Sequence, residues 1–128
     1  MVAALTALVR VSVQPEQDFP LNSQDALVLY AIGLVILVPF SEELLFRGFL
    51  MTGLQVGRYG AGVAVIVSAA LWASAHSVNQ TFEYGALFLF GCALGLLRIK
   101  YKSILPAFAV HCLNNLGALI LMIGMSPS

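Results

Sequence analysis

Ala26-Leu-Val-Leu-Tyr-Ala-Ile-Gly-Leu-Val-Ile-Leu-Val-Pro-Phe-Ser41 contains no charged residue, and Glu42-Glu43-Leu-Leu-Phe-Arg47 follows it directly. Apolar character then resumes to about Val56. So long an uncharged run suits a bilayer, where only helices or closed barrels satisfy their own backbone. The stretch reads as a membrane helix with three charges in its middle. A straight helix over all of it would be about 45 Å long at ~1.5 Å per residue, against a hydrocarbon core of ~30 Å. Pro39 is expected to kink it, or Gly48 to Gln55 to bend along the interface.

The remainder of the 128-residue chain repeats this pattern. Ala61 to about Val78, Tyr84 to Leu97, and Ile104 to about Met125 are further apolar stretches without formal charge, the second of them short for a span. Gly57-Arg58-Tyr59-Gly60, the polar turn 79–83 and the basic cluster Arg98, Lys100, Lys102 separate them. The expected fold is all-α, an integral membrane bundle of about four transmembrane helices. Composition agrees. The chain is 60% hydrophobic and 9% charged, with a mean hydropathy of +0.95, whereas a soluble domain carries about 25% charged residues. Six basic and six acidic residues cancel, so nothing resembles the basic patch that nucleic-acid binding needs.

Met1 to Val9 is apolar and ends at Arg10. It is too short to span and lacks the flanks of a signal peptide. It reads as the end of a helix that begins upstream, in something larger. Residues 1–25 are thus expected to be a partial N-terminal helix and a polar loop, with Ser23 or Asp25 capping the first span; residues 26–128 are the core. Arg58, Arg98, Lys100 and Lys102 fall on one side of the membrane, and Arg10, Glu16, Asp18, Asp25 and Glu83 on the other. The positive-inside rule puts the Arg58 and Arg98 loops in the cytoplasm and both ends of the core outside. Cys92 and Cys112 form no CxxC and no metal spacing, and read as small apolar side chains. Gly91 and Gly95 make a GxxxG, and Ala69, Ala70, Ala73, Ser74 and Ala75 offer a matching small-residue face. That pattern suits packing within the bundle or dimerisation equally, so the oligomeric state stays open.

Ionisable groups within a span cost several kcal/mol unless paired, hydrated or functional. Here they are Glu42, Glu43, Arg47, His76 and His111, joined by Asn114 and Asn115. Glu43 and Arg47 stand four apart, in the order that favours a helical ion pair, and a buried salt bridge accounts for both. Glu42 lies ~100° away on the same helix with no local cation. His76, near a helix end one turn after Trp72, would alone be a hydrogen-bonded structural residue. His111 and Asn115 share a helix face and would alone be interhelical glue. Counted from the cytoplasmic end, His76 lies deep and His111 shallow, so they meet only if helices tilt or are staggered.

Together these groups fit peptide hydrolysis by an activated water. Desolvation raises a buried carboxylate toward neutrality, where it can take a proton from water and return it to the leaving amine. A histidine can orient that water. Fixed donors on one helix face can hold the oxyanion of the tetrahedral intermediate. Ser41 and Ser74 adjoin the motif residues, but no Ser-His-acid arrangement is evident.

Three short motifs carry a family resemblance. Glu42-Glu43-Leu-Leu-Phe-Arg47 fits EExxxR, Trp72-Ala-Ser-Ala-His76 resembles FxxxH with Trp in the Phe position, and His111-Cys-Leu-Asn-Asn115 fits HxxxN. In this order on successive apolar helices, they resemble the CAAX-protease and bacteriocin-processing (Abi) family of membrane endopeptidases, from about Pro39 to Leu116. The resemblance implies that Glu42 activates the water and that Glu43 and Arg47 support it. It also implies that His76 positions the water, that Trp72 fills an aromatic position, and that His111 and Asn115 stabilise the oxyanion. It implies no metal and no cofactor, and a membrane-associated peptide or protein as substrate, prenylated in part of the family. A multi-pass place in the cell membrane of a prokaryote is expected. Family members usually carry extra helices around this four-helix core.

Two other readings stay open. Glu42, His76 and His111 could be zinc ligands of a metal-dependent membrane protease, although HExxH is absent. Alternatively the polar cluster is glue in a non-enzymatic immunity protein or membrane scaffold. A transporter fits less well, because no inverted repeat is visible.

Overall fold

Leucine, valine and alanine dominate each apolar stretch, and each becomes a helix. The structure, a computed structural model, describes residues 24–57, 59–76 and 81–124. The helices are α1 (Gln24–Val56), α2 (Gly60–Ser74), α3 (Thr81–Tyr101) and α4 (Leu105–Gly124). The fold is an all-helical membrane bundle. Helices α1, α3 and α4 are long and apolar enough to cross a membrane, and α2 is a shorter apolar helix. The expected partial N-terminal helix, most of the polar loop and Arg58 lie outside the described residues. Asp25 stands in the first turn of α1. Helix α2 ends at Ser74, with the Ala75 N–H turned back onto the Leu71, Trp72 and Ala73 carbonyls. His76 therefore sits just past the helix.

The apolar outer surface fits a bilayer. Leu29, Leu89 and Leu113 are each 68% exposed and Phe49 78%, whereas Glu43, Arg47, Ser68, His111 and Asn115 are buried. With lipid as solvent the outside is greasy and the polar groups gather within.

Pro39 does not break α1. The backbone stays right-handed helical on both sides of it, and the helix runs through 33 residues. It accommodates two wide turns instead. The Val38 N–H reaches five residues back to the Gly33 carbonyl, and the Met51 N–H reaches five back to Phe46. Such π turns re-aim the side chains beyond them. The first also solves a problem that proline creates. Val38 bonds to Gly33, and Pro39 has no N–H to give. The Leu34 carbonyl thereby loses its usual in-helix donors. Asn115 of α4 supplies a replacement, its Nδ2 donating to Leu34 O at 3.0 Å. In hydrocarbon an orphan carbonyl costs several kcal/mol, so this contact helps to seat α4 on α1.

Helices α2 and α3 pack through small residues. A Cβ on Gly91 would stand 3.1 Å from Ala69 Cβ, 3.2 Å from Ala69 Cα and 3.2 Å from Trp72 Cε3. A Cβ on Gly95 would meet the Val65 side chain at 3.1 Å. The GxxxG motif thus serves packing inside the bundle. Gly91→Ala pushes against backbone and a buried ring, and is expected to destabilise by about 1–3 kcal/mol. Gly85, on the same helix with nothing within 4 Å of an added Cβ, is the control; Gly85→Ala should be neutral or stabilising. Thermal unfolding of both variants in one detergent checks the difference. Cys92 and Cys112 are both free and partly exposed.

Candidate active site

The site begins with two adjacent carboxylates that meet different surroundings. Glu43 and Arg47 are both fully buried, and Arg47 Nη1 donates to Glu43 Oε1 at 3.1 Å. The i,i+4 spacing delivers this ion pair, as expected. The guanidinium also donates from Nη2 to the Gly91 carbonyl of α3 at 3.0 Å and lies 5.0 Å over the Trp72 ring of α2. Arg47 thus ties three helices together. The fit is not complete, since Glu43 Oε2 and Arg47 Nε are buried without a hydrogen-bond partner.

His111 of α4 closes the arrangement. Its Nδ1 lies 3.0 Å from Glu43 Oε1, and its Nε2 lies 3.7 Å from Glu42 Oε2. Glu43 Oε1 already accepts from the guanidinium, and a proton on His111 Nδ1 makes the second contact to that oxygen a hydrogen bond. That leaves Nε2 turned toward Glu42, as a lone pair in the neutral ring or a donor in the imidazolium.

Glu42 is not left without a partner, as its lack of a local cation suggested. The indole Nε1 of Trp72 donates to Glu42 Oε2 at 2.6 Å. The Glu42 side chain keeps 22% of its surface exposed, against none for Glu43. Glu42 is thus the more accessible of the two carboxylates, with the imidazole Nε2 facing it.

His76 is held by its own helix end. Its Nδ1 lies 2.9 Å from the Trp72 carbonyl, which can only accept, so Nδ1 is the donor there, and among the described residues Nε2 has no hydrogen-bond partner. The two histidines meet through Trp72. The His76 ring lies 4.5 Å and the His111 ring 5.5 Å from it, both edge-on. Among the described residues, no three His, Cys, Asp or Glu side chains converge as metal ligands. The set Glu42, His76 and His111 is therefore not assembled as a zinc site. Asn115 keeps one amide N–H beyond the one given to Leu34, and its Oδ1 lies 3.4 Å from Asn114 Nδ2.

Residues 24–117, well over half of the chain, match the family described as type II CAAX prenyl endopeptidase, Rce1-like. The chain belongs to the Rce1-like family. It is a multi-pass membrane protein of a CAAX-type intramembrane protease family, and Glu42, Glu43, Arg47, Trp72, His76, His111 and Asn115 all fall within the matched segment. No curated protein and no solved structure gave a match. Two features of this Rce1-like chain were not anticipated from the motifs, the Trp72–Glu42 hydrogen bond and the tie from Asn115 to Leu34. A signal for each was present. A buried indole N–H needs an acceptor, and a proline within a span frees a carbonyl about one turn earlier.

Proposed function

We propose that this protein is an endopeptidase that hydrolyses a peptide bond of a membrane-associated protein or peptide, with a glutamate-activated water and no metal. The observation that carries the reading is the position of His111 between two carboxylates. One is buried and ion-paired with Arg47; the other, Glu42, is partly exposed and, among the described residues, has only the imidazole within ion-pair distance. In this scheme Glu42 takes a proton from water as the oxygen attacks the scissile carbonyl carbon. The carbonyl oxygen becomes an oxyanion, held by the remaining Asn115 N–H and by a protonated His111 Nε2. The Glu42 proton then passes to the amide nitrogen, the C–N bond breaks, and a carboxylic acid and an amine leave, the acid giving its remaining proton to the amine to form carboxylate and ammonium. His76, whose Nδ1 is held by the Trp72 carbonyl, orients the water through Nε2. Glu43 and Arg47 keep His111 in register.

The substrate is proposed to reach the site from the bilayer. The basic loop Arg98 to Lys102 is proposed to face the cytoplasm, and the membrane to be the cell membrane of a prokaryote. Residues 26–128 are proposed as the catalytic core.

The test is proteolysis in liposomes on a panel of prenylated and unprenylated peptides, with and without chelator. Cleavage that resists chelator and is lost in His111→Ala supports the proposal, and the panel then shows whether the prenyl group is read. Cleavage abolished by chelator and restored by zinc overturns it in favour of a metalloprotease.

A further inference from the structure

We infer that Trp72 is a positioning residue that fixes which oxygen of Glu42 acts as the base; this rests on the proposed protease reading. In the FxxxH pattern the position holds phenylalanine, which has no hydrogen-bond donor. Tryptophan does, and it is used. The Nε1 to Glu42 Oε2 distance of 2.6 Å is that of a short, charge-assisted bond.

The ring cannot follow the carboxylate. Trp72 is 2% exposed. It is flanked by the His76 ring at 4.5 Å, Phe90 at 6.1 Å and the Arg47 guanidinium at 5.0 Å. On the α3 side it abuts Gly91, where a Cβ would lie 3.2 Å from Cε3. The indole is thus the fixed partner and Glu42 the mobile one. Oε2 is held on the side of α2 and His111. Among the described residues no donor is placed on Oε1, so Oε1 is the atom that takes the proton from water. One carboxylate then has an anchoring oxygen and a reacting oxygen. Without the anchor the side chain regains rotamer freedom, and misplacement by about 1 Å can lower a rate ~10²-fold.

The chain has one tryptophan, so ¹⁵N-tryptophan labelling gives a single indole N–H signal in detergent micelles. The inference requires that signal to lie downfield in the wild type and to move upfield in Glu42→Gln. Kinetics supply the second readout. Trp72→Phe should lower kcat about ten- to a hundredfold with KM changed less than twofold. Trp72 replaced by benzothienylalanine, which keeps the bicyclic shape without the N–H, should fall equally. An indole signal indifferent to Glu42→Gln, or wild-type kcat in the benzothienyl variant, would overturn the inference and leave Trp72 as packing. The spectrum needs no substrate, so loss of this hydrogen bond is told apart from failure of the protease reading.

Discussion

Glu42→Gln is expected to lower peptide turnover by about 10²- to 10⁴-fold, the range in which a positioned acid–base group contributes, while the protein stays folded. Glutamine keeps the shape and keeps an oxygen to accept the Trp72 N–H, so the anchor made at 2.6 Å weakens without vanishing. What it cannot do is take a proton from water. The Arg47 guanidinium has its salt bridge with Glu43, so no buried charge is stranded by the change. Turnover measured on any peptide that the wild type cleaves, at equal amounts of monodisperse protein, checks this. Retained turnover would transfer the base role to His111, whose Nε2 faces the same space.

Arg47→Met carries the second large effect, on stability. The substitution removes the Nη1 bond to Glu43, the Nη2 bond to the Gly91 carbonyl and the cation over Trp72. It leaves the fully buried Glu43 carboxylate with His111 as its remaining partner. Removing one member of a buried pair typically costs about 3–5 kcal/mol, most of it from the charge left behind. A marked fall in the thermal midpoint in detergent is expected. The double variant Arg47→Met with Glu43→Gln removes both charges and should recover part of the loss, which a double-mutant cycle reads as coupling. If Arg47→Met alone left the midpoint unchanged, the buried pair would not be holding α1, α2 and α3 together.

The parts of this site that were legible in the sequence are those governed by local spacing. The four-residue step from Glu43 to Arg47 specifies an ion pair on any helix, and it forms. Uncharged runs specify spans, and α1, α3 and α4 arise from them. What was not legible depends on which helix faces which. The His111 bond to Glu43 joins positions 68 residues apart, and no periodicity within α1 or α4 encodes it. Pro39 signalled a disturbance of the helix, but not that a wide turn would precede it or that α4 would bring an amide donor to the freed carbonyl. The GxxxG of α3 was ambiguous until Ala69 and Val65 were seen against it. Trp72 read as a bulky aromatic; its N–H became informative only once Glu42 stood within reach.

The two adjacent carboxylates are proposed to divide the labour, with Glu43 holding the bundle together and Glu42 doing the chemistry. Comparing Glu42→Gln with Glu43→Gln for thermal midpoint and turnover in the same detergent tests this division most directly. Glu42→Gln is expected to unfold within about 1 kcal/mol of wild type yet to cleave almost nothing. Glu43→Gln is expected to lose about 3–5 kcal/mol, because Arg47 is then buried without its counter-ion. The opposite pattern, an unstable Glu42→Gln beside a stable but inactive Glu43→Gln, would contradict it and exchange the two roles.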